Sequence, residues 1–308
     1  MLIDKPSRRD ARRLLHFQGH FFRARSRAVA GAEKAVHMSQ DTRQREISKK
    51  RVIYTIPGVD AVKVRRDEAY RATGAGSHMI DLYYPPDSTS QARTPAVIFV
   101  TGFSDLGAQK MIGCKQKEMG SYISWGQLAA ASGLVGITYT NTEPATDVQV
   151  LVQYVRQNAA SLGVDGSRIA AWACSGSVPT ALSVLMQEAH DYLKCAVLCY
   201  GYMLDSDGFT GVADAARQFG FVTPCAGKSV ADLPRGVPLF VARAGLDQMP
   251  GLNEALDDFV RKALTCNLPV TFVNHSTAPH AFDLFDDSAT SREIIRQVLG
   301  FLQFHLLV

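Results

Sequence analysis

A serine hydroxyl attacks a carbonyl only where a turn presents it and a neighbouring base takes its proton. One stretch of this 308-residue chain has that makeup. Residues 168–177 read Arg-Ile-Ala-Ala-Trp-Ala-Cys-Ser-Gly-Ser, an apolar run closing in small residues, and Val178-Pro179 then opens a helical pattern. Proline is tolerated there because first-turn amides lack helical partners. Strand, sharp turn and helix are the setting of a nucleophile elbow. Strand and helix approach closely at such a turn, so the residues two before and two after its centre must be small. With Ser175 central these are Ala173 and Ser177; with Cys174 central they are Trp172 and Gly176, and the indole would collide with the helix. Ser175 is the expected nucleophile and Cys174 its rival. A small-residue turn without chemistry is the plain alternative, since serine and glycine are common turn formers.

Ala173-Cys174-Ser175-Gly176-Ser177 resembles the Gly-x-Ser-x-Gly elbow of the α/β-hydrolase superfamily, with small residues in place of both outer glycines. The arrangement is similar to the dienelactone-hydrolase-like and prolyl-oligopeptidase-like esterase branches, and the resemblance spans roughly residues 60–308. Dienelactone hydrolases proper carry cysteine at the position of Ser175, which argues against that activity itself. The resemblance implies the chain order nucleophile, acid, histidine. Asp247, in the loop after the run 237–243, is the acid it implies; Asp205 and Asp207 are rivals, and a turn or helix-capping role is the bland alternative. Of His275, His280 and His305 downstream, His280 matches best, in a loop ahead of the last helix, while His275 directly follows a strand. Two backbone amides would bind the oxyanion, Gly176 and Phe103, the latter in Thr101-Gly102-Phe103, where relatives often have His-Gly.

The activity so implied is hydrolysis of a carboxylic ester, or of a thioester, lactone or amide, through an acyl-enzyme with a Ser-His-Asp triad. An acyltransferase would use the same parts. A non-catalytic binding protein of the same fold is the alternative from another class.

The elements that must position these residues follow from periodicity. Extended segments around 62–66 and 78–84 begin the pattern, and Pro85-Pro86 ends the second. Apolar runs at 96–101, 134–140, 169–174, 195–200, 237–243 and 270–274 follow, the signature of parallel strands buried on both faces. Between them lie helical spacings such as Val148, Leu151, Val152, Val155 and Leu252, Ala255, Leu256, Phe259, Val260, Ala263, with a last helix at Ile294, Ile295, Val298, Leu299, Leu302, Leu306. The expected fold is α/β: a mostly parallel central sheet with antiparallel N-terminal strands and helices on both faces. One domain over 52–308 is the economical division, preceded by a basic extension over 1–51. Segments 104–125 and 202–236 fit neither period and leave from strand ends, where ligands bind in such sheets, so they are expected as pocket walls. Lys110, Lys115, Lys117, Tyr122 and Trp125 in the first would form a cationic, aromatic wall suited to an anionic or aromatic ester, although such lysines are ordinarily solvated. Phe209, Phe219 and Phe221 in the second suggest a short apolar lid.

Composition bounds the partners. Residues 1–37 hold seven Arg and two Lys against three acids, +6 of the net +4, so the other 271 residues carry −2 and give no electrostatic case for nucleic acid or an anionic membrane. Leu14-Leu15-His16-Phe17-Gln18-Gly19-His20 is too polar for an export signal's apolar core. With six cysteines in no metal-type CxxC spacing, buried free thiols and a cytoplasmic setting are expected. HExxH, Walker and GxGxxG signatures are missing too, so neither metal nor cofactor is expected, and the partner is a small ester-like molecule.

Overall fold

Eight strands hydrogen-bond in the order β1-β2-β4-β3-β5-β6-β7-β8. They are β1 (Lys63–Thr73), β2 (Gly76–Tyr84), β3 (Thr94–Phe99), β4 (Val135–Tyr139), β5 (Val164–Cys174), β6 (Leu193–Cys199), β7 (Leu239–Ala244) and β8 (Val270–His275). The computed structural model describes residues 46–74, 76–89, 93–187, 191–205 and 211–308, with Glu46–Val308 forming one compact unit. Most of the basic extension lies outside the described residues, as do Asp207 and Phe209. β1 and β2 pair antiparallel, as do β2 and β4; the remaining ladders are parallel.

Alternation along the strands divides two cores. Ile98, Ala171, Ala173, Leu198 and Val241 face one side, covered by α3 (Pro144–Gln157), α4 (Val178–Leu185) and α6 (Leu252–Thr265). Val97, Phe99, Ala170, Trp172, Val197 and Phe240 face the other, covered by α2 (Gly120–Ala131) and α8 (Ala289–Leu307). This is why 169–174 and its counterparts read as unbroken apolar runs. β8 departs from that expectation. It is an edge strand, with Thr271 exposed and Phe272 40% exposed, because among the described residues no strand pairs with its outer side.

Both expected pocket walls contain helices. Segment 104–125 holds α1 (Asp105–Ile112), a short 3₁₀ turn (Gln116–Glu118) and the start of α2; Ser104 caps α1 by accepting from the Gly107 amide at 3.2 Å, and Gly113 ends it at φ 81°. Segment 202–236 holds α5 (Val212–Phe219), bounded by Gly211 and Gly220 in the left-handed region. α1 and α5 are only eight residues long, so little more than two turns of pattern stand in the sequence, and α2 is buried on most sides, which blurs its period. Helix α7 (Phe282–Phe285) is a single turn after the 276–281 loop.

The chain runs from β3 to β4 on one side and then crosses to β5 on the other, so the order reverses between β3 and β5. Crevices at such reversals, beyond the carboxyl ends of the strands, are where open α/β sheets bind ligands.

Candidate active site

β5 ends at Cys174, and Ser175 leaves it with φ 53°, a left-handed conformation that side chains with a Cβ rarely take. A single 3₁₀ turn (Ser175–Ser177) then enters α4, with a proline in its first turn. Tyr200 (φ 35°), after β6, and Ala281 (φ 53°), before α7, share this strain and line the same cavity. Strained residues gather where the surroundings over-determine them, commonly at functional sites.

The strain exposes the Ser175 hydroxyl to His280, whose Nε2 lies 2.9 Å from Oγ. His280 Nδ1 lies 2.6 Å from Asp247 Oδ2. A carboxylate only accepts, so Nδ1 carries the proton and Nε2 is left to accept from Ser175. The Asp247 side chain is wholly buried and its second oxygen accepts from the Met249 amide at 2.9 Å. Its loop is zipped to the histidine's: Gly245 N–H donates to His275 O (2.8 Å) and Leu246 N–H to Ala278 O (2.8 Å), extending the β7–β8 ladder past its end. The sheet itself thus sets the separation of acid and imidazole.

The rivals are placed differently. His275 ends β8, buried against Asp286, Ser288 and Ser291, a packing role. Asp205 lies beside the α5 N-terminus, within 3.5 Å of the Ala213 amide. Cys174 is half-buried at the cavity wall rather than fully buried, and burial together with the Asp283 carboxyl pushes its thiol well above the usual range, so it stays protonated and a poor nucleophile.

Gly176 stands in the first turn ahead of α4, where amides have no intrahelical acceptor. A Cβ there would lie 2.8 Å from Phe221 Cδ1 and 3.0 Å from Phe103 Cζ, so only glycine fits beneath those rings. The Phe103 N–H donates to no group among the described residues, while its carbonyl accepts from Asn141 Nδ2 at 3.1 Å.

Ser175 and His280 open on a cavity of ≈ 290 Å³ whose wall is mainly apolar and aromatic, including Phe103, Met111, Tyr122, Phe221, Met249 and Phe285. The expected cationic wall is not there. None of Lys110, Lys115 and Lys117 lines the cavity, and Lys117 is not solvated: it is 7% exposed, 2.9 Å from both Asp67 and Asp81. Burial lowers its proton affinity, but the two carboxylates outweigh this and hold the ammonium above its usual range. Trp125 also turns away, donating through Nε1 to Asp283 at 2.8 Å.

Asp283 had no sequence signal beyond lying three residues after His280. Its carboxyl, 2% exposed, also accepts from the Tyr200 hydroxyl at 2.6 Å, and burial raises its proton affinity despite both donors. Tyr200 presents its ring edge-on to His280, centroids 5.3 Å apart, so Asp283 and Tyr200 back the imidazole. No group of three or more His, Cys, Asp or Glu among the described residues is arranged to hold a metal ion.

No family model and no curated protein matches the sequence. Solved structures do. A thermophilic esterase from the planctomycete Thermogutta terrifontis superposes with TM-score 0.61 at 19% identity, covering 84% of this chain and 96% of its own. The same esterase has been solved phosphonylated by sarin (TM-score 0.58, 18% identity, 82% of this chain and 98% of that one). A mutant α/β-hydrolase from the metagenome of Lake Arreo, Spain, superposes with TM-score 0.64 at 18% identity over 97% of this chain and 98% of its own. The chain has the α/β-hydrolase fold.

Proposed function

We propose that the protein is a serine hydrolase that cleaves a small, uncharged carboxylic ester through an acyl-enzyme. The observation that carries this reading is the continuous pair of contacts from Ser175 Oγ through His280 to buried Asp247, at 2.9 and 2.6 Å. Both fall within the reach proton transfer requires.

In this reading Ser175 Oγ attacks the ester carbonyl carbon as its proton moves to His280 Nε2. The negative charge on the carbonyl oxygen is met by the Phe103 and Gly176 amides, and Asp247 balances the imidazolium. The intermediate collapses, the C–O bond to the alcohol breaks, and His280 returns its proton to the leaving oxygen. A water then gives a proton to His280 and attacks the acyl carbon; Ser175 leaves with that proton, releasing the acid. The apolar cavity without Lys or Arg among its described lining favours an uncharged acyl or alcohol group, and its volume, at the small end for ligand sites, favours a small one.

The order of elbow, acid and histidine is that of α/β-hydrolases in general, the dienelactone-hydrolase-like and prolyl-oligopeptidase-like branches among them. A cytoplasmic setting is supported by six cysteines all unpaired. No helix among the described residues is long and apolar enough to cross a membrane.

A fluorophosphonate probe tests the reading, and the modification of the planctomycete esterase by an organophosphonate makes it apt. The expected outcome is one label per chain, none in Ser175→Ala and labelling slowed by about 10² or more in His280→Ala. Labelling that survives Ser175→Ala would refute the assignment, and a panel of esters of increasing acyl length would define the substrate.

A further inference from the structure

We propose that the Ser177 hydroxyl is a positioning residue that holds the loop carrying the Phe103 amide against the elbow, fixing the two oxyanion donors at their working separation. The proposal rests on the reading of Ser175 as nucleophile. At this point the two backbones touch: a Cβ on Gly102 would lie 2.2 Å from Gly176 O and 2.8 Å from Ser177 Cα. Gly102 is buried, so its N–H must find an acceptor within the protein. It donates to Ser177 Oγ at 3.0 Å. Alanine or glycine at 177 would meet the elbow's demand for a small residue, yet only a hydroxyl also satisfies that amide.

The neighbouring groups of the loop are committed as well. The Thr101 N–H donates to the Tyr139 hydroxyl (3.1 Å), Gly102 O accepts from the Val222 N–H (2.9 Å), and Asn141 Nδ2 donates to Thr101 Oγ1 (2.8 Å) and Phe103 O (3.1 Å). Ser177 also interacts with the Tyr122 phenol, which in turn donates to Val100 O at 3.3 Å. The latch therefore ties to both ends of residues 100–102, and the Phe103 N–H is the amide left over, with no acceptor among the described residues. Ser177 is itself 1% exposed and separated from Gly102 by 75 positions, so the contact is made by the fold and not by local turn geometry.

A hydrogen-bond donor aimed at a developing charge loses most of its effect when displaced by about 1 Å. The test compares wild type with Ser177→Ala and Ser177→Cys, the latter keeping the side-chain shape with a larger sulfur that accepts only weakly. Folding is followed by circular dichroism, and Ser175 is titrated with the fluorophosphonate so that rates are expressed per competent site. Kinetics on p-nitrophenyl butyrate should give kcat lower by about 10- to 100-fold in Ser177→Ala with KM within about twofold, and an intermediate loss in Ser177→Cys. Inhibition by a butyl boronic acid, whose adduct on serine is tetrahedral, should weaken in parallel with kcat/KM, whereas inhibition by planar butyrate should not change. A merely structural serine would lower the thermal midpoint and leave kcat per site untouched. Folded variants with kcat within twofold of wild type, or a loss confined to KM, overturn the proposal; if the alanine variant does not fold, the cysteine variant decides by the same criteria. Wild type that takes no label overturns the hydrolase reading itself and this inference with it, an outcome distinct from labelled enzyme insensitive to residue 177.

Discussion

At the scale of single residues, the site depends on what each group can accept or donate. Asp247 is buried and accepts from two donors, the His280 imidazole and the Met249 amide. Asparagine there would have one oxygen for two donors, and its NH₂ would favour the imidazole tautomer with the proton on Nε2, the wrong one for accepting from Ser175. Asp247→Asn should therefore fold and bind ester, yet lower kcat by about 10²- to 10⁴-fold, which steady-state kinetics at saturating ester would measure. Which carboxylate and which histidine meet Ser175 could not be read from residue type, since Asp205 and His275 offer the same chemistry. What separates them is surroundings: His275 is enclosed by Asp286 and two serines, whereas His280 is 28% exposed at the cavity.

At the scale of elements, the strands were legible because alternation and burial are local properties. The positions of β3 to β7 follow the apolar runs to within a few residues, except β5, which begins earlier, at Val164. The walls of the pocket were not legible, because what fixes them is remote. Lys117 is the example: in sequence it is one more lysine on a polar stretch, yet it pins the segment before α2 to Asp81 on β2 and to Asp67 in β1. Asp81 is 2% exposed, and without Lys117 the cation left beside it among the described residues is Arg66 at 3.5 Å. Removing one partner of a buried pair costs about 3–5 kcal/mol because the other charge is stranded. Lys117→Met should lose stability of that order in urea unfolding, and Lys117→Met/Asp81→Leu should recover a large part of it.

For the whole molecule, one half-buried carboxyl beside the 101–103 loop gives stability a pH dependence. Desolvation raises the Asp105 carboxyl from its ordinary value to about 6, against a hydrogen bond from the Asn141 amide that lowers it, and its Oδ1 is buried without a partner among the described residues. The folded state thus keeps this proton to higher pH than the unfolded chain does. Its contribution is most favourable below the ordinary carboxylate range and is lost as pH rises through about 6. Asp105→Asn keeps an acceptor for Asn141 and removes the charge. It should stabilise the protein at pH 7.5 by on the order of 1 kcal/mol, allowing for solvent screening, and have little effect at pH 4, as urea unfolding at the two pH values would report. The sequence alone determined the class of fold, the apolar strands and the turn at Ser175, because periodicity and the steric need for small neighbours are written in consecutive residues. Only the tertiary structure decided that a hydroxyl and an imidazole 105 positions apart meet at 2.9 Å, that Asp283 and Tyr200 stand behind that imidazole, and that Ser177 reaches the Gly102 amide. Such contacts depend on which strands lie side by side, and strand order is set by the burial of the whole sheet, a quantity no local window of sequence contains.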